Sequence, residues 1–122
     1  MSSKKGVLYG RSPSWREESN GVYEKDKDGY FTDHKYEGEI ENGKPHGDGI
    51  WTGCGGATYV GQYVNGLREG DGTFTWSSKG PASGSVYEGE YKNNRRNGKG
   101  KRTNEDGHIQ EGNWINNEFI GE

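Results

Sequence analysis

The chain has 122 residues, of which 25% are aliphatic, aromatic or Cys, and a formal charge of −3 at pH 7. That length holds one small domain or one short repeat array, and the acidic balance excludes the global basic field that draws proteins to nucleic acid. The thin apolar share alone would indicate disorder, but 23 glycines and a 12% aromatic share recur at fixed offsets, which Gly-rich linkers do not show.

Residues 1–35 carry no repeat. Met1-Ser-Ser-Lys-Lys lacks an apolar leader core and no stretch approaches the length of a membrane span, so a cytoplasmic chain is expected, with a place peripheral to a membrane or the cytoskeleton as an open alternative. The single cysteine, Cys54, supplies no internal disulfide and fits a reducing compartment. Trp15-Arg-Glu-Glu-Ser reads as the start of a helical turn. Gly21-Val-Tyr and Asp28-Gly-Tyr-Phe read as two short strands around the turn Lys25-Asp-Lys-Asp-Gly. Terminal units of repeat arrays are atypical because they shield an edge, so 1–35 is expected to be an N-terminal cap or a partly ordered tail.

From Tyr36 one phrase is spoken repeatedly: Tyr36-Glu-Gly-Glu-Ile-Glu-Asn, Tyr59-Val-Gly-Gln-Tyr-Val-Asn, Tyr87-Glu-Gly-Glu-Tyr-Lys-Asn, then Gln110-Glu-Gly-Asn-Trp-Ile-Asn. Each complete copy continues into a Gly-x-Gly pair, which divides the array into 36–58, 59–86, 87–109 and a partial 110–122. Residues alternate with period 2, and glycine this dense costs a helix about 1 kcal/mol per position, so every copy is a β-hairpin. With turns of four residues such as Gly43-Lys-Pro-His46, Ile40 would face Gly49, Tyr63 would face Gly72 and Trp51 would also face Gly61. Phe74 would then stand beside Gly89 and Trp114 beside Gly100. The expectation is a checkerboard in which each ring covers a neighbouring glycine, within a single-layer antiparallel meander of about seven to nine strands. The extra residues 77–86 fall in a connecting loop.

The pattern Y-E-G-E-(aromatic)-x-N-G-x-x-x-G-x-G-x-(aromatic) resembles the MORN repeat, the membrane occupation and recognition nexus, over 36–122. The resemblance implies an all-β, elongated and twisted meander of hairpin repeats. Asn94 and Asn117 in place of the turn Gly, Arg102 in place of an aromatic and Gln110 in place of the leading Tyr depart from it, at the C-terminal end.

No catalytic constellation stands out. The Gly-x-Gly pairs do not continue into a phosphate loop, His34, His46, His108 and Cys54 match no zinc spacing, and Glu37, Glu39, Glu41, Glu88 and Glu90 read as a solvated sheet face. No enzyme activity, cofactor, metal or nucleic acid is expected. The rings form the candidate site: Trp51, Tyr59, Tyr63, Phe74, Trp76, Tyr87, Tyr91 and Trp114, with Arg102 placed to stack on Tyr87 or Trp114 or to pair with a carboxylate. A single layer leaves such a row open to water, and exposed aromatics mark interaction sites. The expectation is an interaction or scaffold module whose aromatic trough takes a protein or peptide partner. Two alternatives stand beside it. Lys44, Arg68, Arg95 and Arg96 in the turns could meet anionic phospholipid, and the resemblance admits a regulatory module of a lipid kinase or SET-domain methyltransferase. Self-association through unpaired sheet edges is a further expectation.

Overall fold

The computed structural model describes residues 4–11, 14–16, 34–53, 56–76 and 84–122. Among them are ten strands: β1 (Lys4–Arg11), β2 (Ser14–Arg16), β3 (Lys35–Glu41), β4 (Lys44–Thr52), β5 (Thr58–Val64), β6 (Leu67–Thr75), β7 (Val86–Lys92), β8 (Arg95–Thr103), β9 (Ile109–Ile115) and β10 (Glu118–Gly121). They form one open antiparallel sheet in the order β10-β9-β8-β7-β6-β5-β4-β3-β1-β2. The all-β meander expected from the repeats is the fold. Trp15 is not in a helical turn; it lies in β2, which pairs with β1, and β1 continues the sheet beyond β3. The strands and turn expected within 17–33, Cys54, and most of the connecting loop at 77–83 fall outside the described residues.

The hairpins are tighter than four-residue turns would make them. Asn42-Gly43, Asn65-Gly66, Asn93-Asn94 and Asn116-Asn117 all have positive φ at both positions. That is the two-residue turn whose twist matches the strands, and Asn-Gly is its preferred sequence. The remaining two residues sit in a bulge: Glu39 alone spans His46-Gly47-Asp48, between the pairs Gly38↔Gly49 and Ile40↔Pro45. Gln62 and Glu90 mark the same bulge in the next two units. The bulge glycines Gly47, Gly70 and Gly98 have φ of 105°, 73° and 102°, conformations that a side chain resists.

The register therefore corrects the checkerboard. Tyr63 pairs with Gly47 and Arg68, not Gly72; Trp51 pairs with Tyr36 and Tyr59; Phe74 pairs with Tyr59 and Tyr87; Trp114 pairs with Gly98. The shift is an even number of residues, so all the rings stay on one face. Glycines instead form an unbroken row across eight strands: Gly6, Gly38, Gly49, Gly61, Gly72, Gly89, Gly100 and Gly112. The leading tyrosines lie along their own strands onto this row. A Cβ on Gly49, Gly72 or Gly100 would stand 2.2–2.3 Å from the hydroxyl of Tyr36, Tyr59 or Tyr87. Each hydroxyl donates to the carbonyl three residues on, Glu39, Gln62 or Glu90, at 2.7, 3.0 and 3.0 Å, a group beside the bulge.

A single layer thereby hides its core. Trp15, Tyr36, Tyr63, Tyr59, Tyr91, Tyr87 and Trp114 run edge to face at centroid distances of 5.2–6.1 Å. Aromatic pairs prefer this geometry. Tyr36, Tyr59 and Tyr87 are 0% exposed and Tyr63 and Tyr91 only 5%, so the expectation that one sheet leaves its whole ring row open to water is corrected.

Successive units are clasped at their turns. Gly66 N–H donates to Pro45 O at 2.8 Å, Asn94 N–H to Arg68 O at 3.1 Å and Asn117 N–H to Arg96 O at 3.0 Å. Proline has no N–H to return, and glycine faces it. Arg68 and Arg96 do have one, and they donate it to Asn94 Oδ1 and Asn117 Oδ1, each at 2.9 Å. The turn asparagines that break the Gly pattern thus match the residue behind them.

Candidate functional site: an aromatic and arginine face

Beside the buried tyrosine row runs a second, half-buried row. Trp51 stacks on Phe74 at 6.2 Å and 27°, Phe74 meets Trp76 edge-on at 4.9 Å, and His34 abuts Trp51 at 5.1 Å. β4 and β6 set this row, because Trp51 and Phe74 occupy the same register position one unit apart. Arg102 holds that position in β8 and lies over Trp76 at 4.7 Å. It does not stack on Tyr87 or Trp114; Arg96 covers those rings, at 5.7 and 5.2 Å.

Arg68 and Arg96 join the two rows. Arg68 sits over Phe74 at 5.3 Å and Tyr91 at 5.1 Å, while its Nη2 donates to Asn94 O at 2.8 Å. Arg96 repeats this over Trp76 and Trp114, with Nη2 donating to Asn117 O at 2.8 Å. Burial, helped by neighbouring Arg102 and Arg68, pulls the Arg96 pKa below the usual guanidinium range. Two hollows open between these groups. One, of about 250 Å³, is lined by Trp15, Trp51, Tyr63, Gly66, Arg68, Phe74 and Asn94; the next, of about 190 Å³, by Arg68, Phe74, Trp76, Tyr91, Arg96 and Asn117.

The nine ring-face residues singled out in the sequence divide into two sets. Tyr59, Tyr63, Tyr87, Tyr91 and Trp114 are core, whereas Trp51, Phe74, Trp76 and Arg102 stay partly exposed. The row of basic turns divides as well: Lys44 and Arg95 are exposed, while Arg68 and Arg96 fold onto the rings. Sequence reasoning missed Arg68 and Arg96 as members of the aromatic face. Asn-Gly at 65–66 was the available signal, since a two-residue turn puts Arg68 in the strand opposite Tyr63.

On the opposite face Glu39 and Glu90 are structural. Glu39 Oε2 accepts the Asp48 N–H at 2.6 Å and Glu90 Oε1 the Lys99 N–H at 2.6 Å; Gln62 does the same for Asp71 at 3.1 Å. An amide serves where a carboxylate does, so the position needs an acceptor and not an acid. His46 has a similar task, with Nδ1 accepting the Asn65 N–H at 3.1 Å.

Three consecutive segments, 36–58, 59–80 and 87–109, match the MORN repeat family. The chain belongs to the MORN-repeat family. MORN repeats are non-catalytic modules that generally serve interaction or membrane association. Comparison with curated proteins finds no match. Among the described residues of this MORN array, no helix is long and apolar enough to cross a membrane.

Proposed function

We propose that this MORN array is a non-catalytic binding module that takes a segment of a partner protein onto its half-buried aromatic row. The observation that carries this reading is the second row itself. The tyrosine zigzag already seals the core, yet Trp51, Phe74 and Trp76 keep open surface above two hollows. Large aromatics half sunk in a rigid sheet are the residues that anchor interfaces, because they lose little side-chain entropy on binding. An anionic membrane is a weaker fit: with Arg68 and Arg96 bent onto rings, Lys44 and Arg95 alone remain as exposed turn cations of the four proposed for lipid.

The test is capture of a defined partner, isolated from native lysate, by the wild-type chain and by Trp51→Ala/Phe74→Ala. Loss of at least about 2 kcal/mol of affinity, the hot-spot scale, is expected with the sheet signal retained. Equal affinity would reject the reading. Sedimentation with anionic liposomes that is lost in Lys44→Glu/Arg95→Glu would transfer it to lipid.

A further inference from the structure

Three guanidinium groups, Arg68, Arg96 and Arg102, stand on the aromatic face, and among the described residues no carboxylate pairs with any of them. Two of them share one indole: Arg102 lies 4.7 Å and Arg96 5.3 Å from the Trp76 ring centre. The Nε atoms of both are buried and donate to no acceptor among the described residues. A buried, unmatched N–H on a charged group is costly, and two like charges on one ring add to the cost. The carboxylates meanwhile serve elsewhere: Glu39 and Glu90 cap bulges on the opposite face, and Glu69 accepts the Asn93 N–H at a turn. The face is therefore apolar and cationic at once.

We infer that Arg96 and Arg102, held on Trp76, form a carboxylate-receiving site, so the segment bound here is an acidic peptide with apolar side chains for the two hollows. This rests on the reading of the aromatic row as a partner site and specifies its chemistry. A planar carboxylate matches guanidinium forks, and a ring beneath them fixes their orientation. The hollow between Arg68 and Arg96 lies next to the pair, so an apolar residue in it would carry an adjacent Asp or Glu onto them.

The test is an NMR titration of the isotope-labelled full chain with two probes, acetyl-Leu-Glu-Leu-Glu amide and its Gln counterpart, observing the side-chain Nε–H signals of Arg96 and Arg102. The Glu peptide is expected to move both signals and to bind at least tenfold more tightly than the Gln peptide. Arg102→Gln is expected to erase that difference. Equal binding of the two peptides, or unmoved arginine signals, overturns the inference, and the wild-type comparison decides even if the variant fails to fold. Tighter binding of inorganic phosphate than of the Glu peptide would also overturn it. If both peptides move the Trp51 and Phe74 signals alike without moving the arginines, the partner site stands and only its acidic specificity falls.

Discussion

Tyr59 lies across Gly72: a Cβ built on that glycine would stand 2.3 Å from the phenol oxygen and 2.4 Å from the ring. Gly72 pairs with Gly61 and Gly89, not with Tyr59, whose direct partner is Phe74, so the ring reaches Gly72 diagonally, two positions along the neighbouring strand. The glycine row is the floor on which the leading tyrosines lie flat. Their hydroxyls then close on carbonyls beside each bulge.

Two substitutions separate floor from ring. Gly72→Ala forces the ring off its seat and is expected to cost about 1–3 kcal/mol, the range for overpacking a filled site. Tyr59→Phe keeps the ring but leaves the Gln62 carbonyl without its 3.0 Å donor, for about 1 kcal/mol. Urea unfolding measures both. A neutral Gly72→Ala would contradict the packing.

The clasp at Arg68 makes a conditional prediction. Asn94→Gly removes the acceptor of the Arg68 N–H and should lower stability by about 1 kcal/mol, although glycine suits the φ of 71° better than asparagine does. Gly66→Asn offers an acceptor to Pro45, which has no N–H, and should gain nothing. Thermal melts of the two variants check the pair.

Glu90 tests the bulge cap. Glu90→Gln should leave stability within about 0.5 kcal/mol, since Gln62 serves the same role one unit earlier. Glu90→Ala leaves the Lys99 N–H uncapped and should cost about 1–2 kcal/mol. Similar losses for Gln and Ala would show that charge, not acceptance, matters there.

Burial holds the phenols of Tyr36, Tyr87 and Tyr91 at about 12, against an ordinary 10.0. The unfolded chain releases these protons near 10 and the folded one keeps them to about 12. Between those values the unfolded state binds fewer protons, so stability falls as pH rises. Each ring removes about 1.4 kcal/mol per pH unit in that window, and three together about 4. Alkaline titration should therefore show sheet loss and tyrosinate absorbance rising together above pH 10. Tyrosinate formation near pH 10 by all the rings, with the sheet intact, would disprove the burial.

The fold was legible because each repeat states its period and its alternation. Faces were legible too, since only parity had to be right. Register was not: four surplus residues per hairpin can sit in the turn or divide between turn and bulge, and the residue count is the same. The positive φ of Gly47, Gly70 and Gly98 marks the bulge and Gly-x-Gly spacing does not display it, so Asn-Gly at 42–43 and 65–66 was the one local signal for the shorter turn. Placing the surplus in the turn also put Arg68 and Arg96 at an edge with Lys44 and Arg95, when the strand carries them onto the rings. Residues 4–11 lack the repeat phrase, and their pairing with β3 followed from no local signal. Trp15 illustrates the same limit: Trp-Arg-Glu-Glu suits a helix, but contacts with Tyr36 and Tyr63 hold it in a strand.

The turn clasps make the units of this array non-interchangeable. Pro45 meets a bare glycine, whereas Arg68 and Arg96 each meet an asparagine that answers their N–H. Transposing the first and third units would set Arg96 against Gly66 and Arg68 against Gly43, stranding two amides at once. The chain thus writes its own rule of succession, and a recombined array that ignored it would be weakest at its seams while every hairpin within it remained sound.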